Sequence, residues 1–87
     1  MVTFEFTAEG VFADADARNL ASQVVTALTG GRDVSPFEGA RCWRYQGDTF
    51  RLTVRDGPEV DRHVAEAVDG VFRRNQVTGT WPRRTAS

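Results

Sequence analysis

The groups in this 87-residue chain that could do covalent chemistry are few: one His, one Cys and twelve carboxylates. A transition-metal site needs several His, Cys or carboxylate ligands brought together, and a lone His with a lone Cys cannot supply one within a single subunit. Neither a metal nor another cofactor is therefore expected. Cys42 is the one thiol, and a nucleophilic thiol needs a base. The alternation around it places Cys42 on the outer face of a strand near Arg44 and Thr53, where arginines would lower its pKa. His63 falls on the polar side of a helix between Glu59 and Glu66, behind the sheet and out of reach. The acid pairs Asp14 with Asp16 and Asp56 with Glu59 sit where helices begin, and carboxylates there complement the helix dipole. The run Thr29-Gly-Gly-Arg-Asp33 follows a helix rather than a strand, the wrong context for a phosphate-cradling loop. These patterns exclude the familiar catalytic constellations, and the chain reads as a non-enzymatic protein.

The arginines and tryptophans offer more. All eleven basic residues are Arg, a bias of GC-rich coding, so their positions carry more information than their identity. Residues 1–40 hold six acids and two Arg, residues 41–87 six acids and nine Arg, giving a net charge of −1 that conceals an acidic and a basic half. Such a division implies either pairing of the halves within the fold or a basic face for an anionic partner. Trp81-Pro82-Arg83-Arg84 joins two residue types concentrated in binding hot spots, and Phe37 lies in a loop. Trp81, Arg83, Arg84 and Phe37 are thus the expected partner contacts. Arg44, Arg51 and Arg55 form a second set, suited to phosphate groups of a nucleic acid.

The elements that must position these residues follow from periodicity. Val2–Thr7 alternates strictly, as a half-buried strand does. Ala17, Leu20, Ala21, Val24 and Leu28 recur at helical spacing between Asp14, expected as the N-cap, and Gly30-Gly31, predicting a helix over 15–29. Gly47-Asp48 suits a two-residue type II′ hairpin turn between strands at Arg41–Gln46 and Thr49–Arg55. Simple alternation from that turn pairs Tyr45 with Phe50 and Trp43 with Leu52, so both aromatics are predicted to enter the core. Asp56-Gly-Pro-Glu59 resembles a helix start, and Val60, Val64, Ala67, Val68, Val71 and Phe72 predict a second helix to about Arg74. Gln76–Trp81 is β-prone and is followed by Pro82, predicting an edge strand that ends there.

The order β-α-β-β-α with a closing β predicts one α+β domain over residues 1–81, with a loose tail at 82–87. Its small antiparallel sheet would carry two helices on one face in a ferredoxin-like split βαβ arrangement. With its strand aromatics placed inside, the outer face reads as Thr3, Glu5, Thr7, Cys42, Arg44, Gln46, Arg51, Thr53 and Arg55, which lacks the stacking rings of sheet proteins that bind single-stranded RNA. A single Cys, no secretory leader and no apolar run of bilayer length point to a cytoplasmic protein without a membrane role. The functional expectation is a small accessory or regulatory module that docks to another protein or to copies of itself. Phosphate-backbone binding to nucleic acid is the alternative.

Overall fold

The computed structural model describes residues 1–11, 13–30 and 39–85. Phe37 lies outside them. The chain forms a small α+β fold in the order β1 (Val2–Thr7), α1 (Asp14–Thr29), β2 (Arg41–Gln46), β3 (Thr49–Val54), α2 (Val60–Asn75) and β4 (Arg83–Arg84). The four strands make one antiparallel sheet in the order β2-β3-β1-β4, so the two central strands are β3 and β1.

Strand alternation determines what the central strands bury. Phe4 and Phe6 of β1 and Phe50, Leu52 and Val54 of β3 point to one face and are almost wholly inaccessible to solvent. Leu20 and Val24 of α1 and Val64, Val68 and Val71 of α2 close over them. The Phe6 and Phe50 rings stack with centroids 5.5 Å apart, and Phe72 of α2 meets Phe6 edge-on at 5.9 Å. Helix α1 lies over β2 and against α2.

Both helices form where the apolar spacing predicts, but their starts differ from the expectation. Ala13, in extended conformation, is the N-cap of α1, and Asp14 lies in the first turn, capping nothing through its side chain. At α2 the Asp56 carboxylate accepts a hydrogen bond from the Gly57 amide at 2.9 Å, and the helix begins only at Val60, after Glu59 in a left-handed conformation. The loop turns once before the helix starts, the Val60 amide donating to the Gly57 carbonyl at 3.3 Å.

The closing strand also lies further along than expected. Residues 76–81 contribute only an isolated bridge, Ala8 to Gly79, and the strand proper is Arg83–Arg84 against Glu5 and Phe4. Pro82 precedes this strand rather than ending one, a position in which its missing N–H breaks no ladder. Thr85 donates its amide to the Thr3 carbonyl at 2.9 Å, so Arg83–Thr85, expected in a loose tail, belong to the sheet edge.

Candidate binding face

The hairpin turn at Gly47-Asp48 forms as expected, with Gly47 at a positive φ of 57° and Gln46 opposite Thr49. Between Arg44 and Gln46, however, the register shifts, and Phe50 pairs with Arg44 rather than Tyr45. Tyr45 is the extra residue of a bulge, and a one-residue slip turns every earlier side chain of the strand to the other face. Trp43 now stands opposite Arg51, and Cys42 opposite the buried Leu52. The prediction that Trp43 and Tyr45 enter the core is therefore overturned: they are 40% and 49% exposed. Position makes the inversion cheap. Strand β2 is at the sheet edge with only α1 overhanging its covered side, so a half-buried arginine there keeps its head near solvent.

The same slip moves two predicted site residues. Arg44 leaves the open face and pairs with Asp14 at the start of α1. It joins the acidic and basic halves of the sequence. Cys42 lies on the helix-facing side beside Ala17, Ala21 and Arg44, where burial pushes its thiol up to about 12. The expected arginine-activated thiol on the outer face is thus replaced by one held neutral. His63 opens into a different depression, beside Ala27, Leu28 and Glu66 between the two helices. Among the described residues no three His, Cys, Asp or Glu side chains gather into a metal-binding group.

What remains on the open face is a set of aromatic rings and arginines. The transverse row across the four strands reads Trp43, Arg51, Glu5, Arg83. The Arg51 guanidinium lies 3.6 Å from the centre of the Tyr45 ring, and its Nε donates to Glu5 at 3.3 Å. Tyr45 is thereby held to Arg51 by a cation–π contact. Arg41 occupies the next position of the edge strand, opposite Thr53, and Thr53 meets Thr3 across the face. Trp81, 64% exposed, shares a shallow depression of about 480 Å³ with Glu5, Thr7, Arg51 and Arg83. Thr80 fixes the approach to Trp81: its hydroxyl accepts from the Thr7 amide and its own amide donates to the Thr7 carbonyl, both at 3.0 Å.

The predicted contacts therefore divide. Trp81 and Arg83 share the open face, where Arg51 also stands, and Arg55 is exposed just past the end of β3. Arg84 points the other way. It covers the Phe4 ring at 5.7 Å, donates to Asp61 at 2.6 Å and reaches Asp56 at 3.3 Å, clamping β4 to α2. The Asp61 carboxyl is held below its usual range by that hydrogen bond, and the guanidinium is correspondingly raised. Arg41, Arg55 and Arg83 have no ion-pair partner among the described residues. Trp43 and Tyr45 are the site residues that sequence reasoning missed. The available signal was the edge position of β2, where the Trp43-Arg44-Tyr45 run can bulge without exposing a large core area. Comparison with known protein families, characterised proteins and solved structures gives no match.

Proposed function

We propose that this protein is a small non-enzymatic binding module and that its contact surface is the open face of the sheet. The observation that carries this reading is the gathering of Trp43, Tyr45 and Trp81 on the one face that no helix covers. Exposed rings confined to one face of a small domain are the usual mark of an interaction site. The strand order, antiparallel throughout, with both helices on one side, supports the ferredoxin-like split βαβ arrangement as its scaffold. A binding role is favoured over catalysis because the neutral Cys42 thiol and His63 open into separate depressions. The lone free Cys fits a reducing, cytoplasmic setting.

Docking to another protein or to a second copy draws on the Trp, Tyr and Arg content of this face, the composition of binding hot spots. The excess of arginine favours an anionic partner. Site-specific photo-crosslinking tests the surface independently of the ligand. A benzophenone side chain at position 43 or 81 captures a ligand in cells, whereas the same group at Glu66 on the helix layer does not. Equal capture from both layers, or none from the open face, overturns the assignment.

A further inference from the structure

We propose that the ligand of the open face is single-stranded nucleic acid, its bases stacked on Trp43, Tyr45 and Trp81 and its phosphates held by Arg51, Arg83 and Arg41. This rests on the reading of the open face as the contact surface, and it adds the chemistry of the partner. Charge complementarity is the first argument. Although the whole chain carries −1, the open-face positions of the ladder hold Arg41, Arg51 and Arg83 against Glu5 alone. The acids are concentrated elsewhere: Asp14 and Asp16 on α1, Asp61, Glu66 and Asp69 on α2. The net charge therefore says little about this face, where Arg41 and Arg83 have no ion-pair partner among the described residues.

Ring placement is the second argument, and it selects single strands. Aromatic side chains bind bases by stacking, which requires unpaired bases turned toward the protein. The row from Trp43 to Arg83 crosses three strand intervals, about 14 Å at ~4.8 Å each. A four-stranded sheet of that width accommodates about two or three bases. The Arg51 guanidinium covers one side of the Tyr45 ring, and the ring is still 49% exposed, which leaves area for a base to stack. Glu5 ties Arg51 at the centre of the row and holds it between the two groups of rings. The mixture of Arg and aromatic groups suits a flexible polyanion with flat bases better than it suits a closely packed protein interface, whose core is depleted of charge.

The test is fluorescence anisotropy with labelled mixed-sequence single-stranded RNA, single-stranded DNA and duplex DNA, about ten nucleotides long, at about 50 and 200 mM salt. Both tryptophans of the chain lie on this face, so their emission reports the same event from the protein side. Binding of one or both single strands is expected, with tryptophan quenching and weaker binding to duplex. Trp43→Ala should weaken it about 5- to 150-fold, as for loss of one stacked base. Arg83→Gln should reduce the slope of log affinity against log salt by about one. Circular dichroism and the melting temperature establish that both variants remain folded. Preferential binding to duplex, or single-strand affinity unchanged by Trp43→Ala, overturns the proposal. No binding at the lower salt also overturns it. If crosslinks from position 43 or 81 then go to protein, the open face stands as a docking surface with a different partner; if they too are absent, both readings fall.

Discussion

The two faces of this sheet are made by alternate residues of the same strands, yet they obey different constraints. On β1 and β3, the covered side is entirely apolar, with Phe4, Phe6, Phe50, Leu52 and Val54 sealed by both helices. On the open side of those strands stand Thr3, Glu5, Arg51 and Thr53, each partly exposed. At the edge strand β2 the rule relaxes: Cys42 and Arg44 face the helix layer and Trp43 faces out. Where two helices cover a strand, the hydrophobic effect dictates its face; where one helix overhangs it, a single bulge can reverse the assignment. The exposed rings arise at that permissive edge and at the entry to the opposite edge, β4.

This contrast is most directly broken by truncating one ring on each face. Phe50→Ala removes a fully buried ring stacked on Phe6 and is expected to cost about 3–5 kcal/mol. Trp43→Ala removes a half-covered ring that closes no core, and its cost should be smaller, about 1–2 kcal/mol. Urea unfolding measures both. A Trp43→Ala variant as unstable as Phe50→Ala would mean that the open face is structural rather than available for binding.

A smaller loss tests how the chain reaches the open face at Trp81. Gly79 bridges to Ala8, and a Cβ there would overlap the Thr7 carbonyl oxygen and lie 2.8 Å from Cε2 of Phe72. Gly79→Ala should therefore cost about 1–3 kcal/mol through forced displacement of backbone. Because the segment carries Trp81, the variant should also weaken any ligand that stacks there, whereas Gly70→Ala, with open space around it, should do neither. Equal behaviour of the two glycine variants in thermal unfolding would remove the close approach as the cause.

Much of the covered face is legible in the sequence. The alternation of Val2–Thr7 and the apolar spacing of Ala17 to Leu28 and of Val60 to Phe72 locate three elements and most of the core, because burial by two layers enforces periodicity. The open face is less legible. Trp81 and Arg83 stand out as candidate contacts from residue type and both lie on the open face, but the bulge hides Trp43 and Tyr45. Simple alternation from a correctly placed turn put them inside. The separation of Arg83 from Arg84 was equally hidden, since adjacent residues of a strand take opposite sides and the strand begins beyond Pro82. No periodicity marks a two-residue strand.

Cys42 sharpens the comparison at the permissive edge, because its chemistry depends on which face it takes. Facing the helix layer, with its thiol pushed up to about 12 by burial, it should resist alkylation at pH 8 in the native state and react on unfolding. The unfolded thiol ionises near the ordinary value of 9.0 while the native one keeps its proton. The unfolded state then binds fewer protons, so stability falls as pH rises from about 9 toward about 12. Cys42→Ala should flatten that part of the pH profile. Rapid native alkylation at pH 8, with no alkaline decline attributable to Cys42, would return the thiol to the open face and reverse the register of β2.

The smallest expected effect lies at the opposite edge, where Arg84 ties β4 to α2 through Asp61 and Asp56. The Asp61 carboxyl is held below its usual range chiefly by the hydrogen bond from Arg84. Its contribution to stability is complete above the ordinary carboxylate value of 3.8 and is lost as pH falls through the lower value of the folded protein. Both side chains are exposed, so solvent screens the pair and the loss is modest and salt-sensitive. Asp61→Asn should remove this acid-sensitive part, leaving neutral-pH stability slightly lower and the profile below pH 4 flatter. Because Arg84 faces the helix layer, the substitution should leave binding at Trp43, Tyr45 and Arg83 unchanged. Loss of open-face binding in Asp61→Asn would show instead that the clamp on β4 positions Arg83 and Trp81, coupling the layers that the sheet otherwise keeps apart.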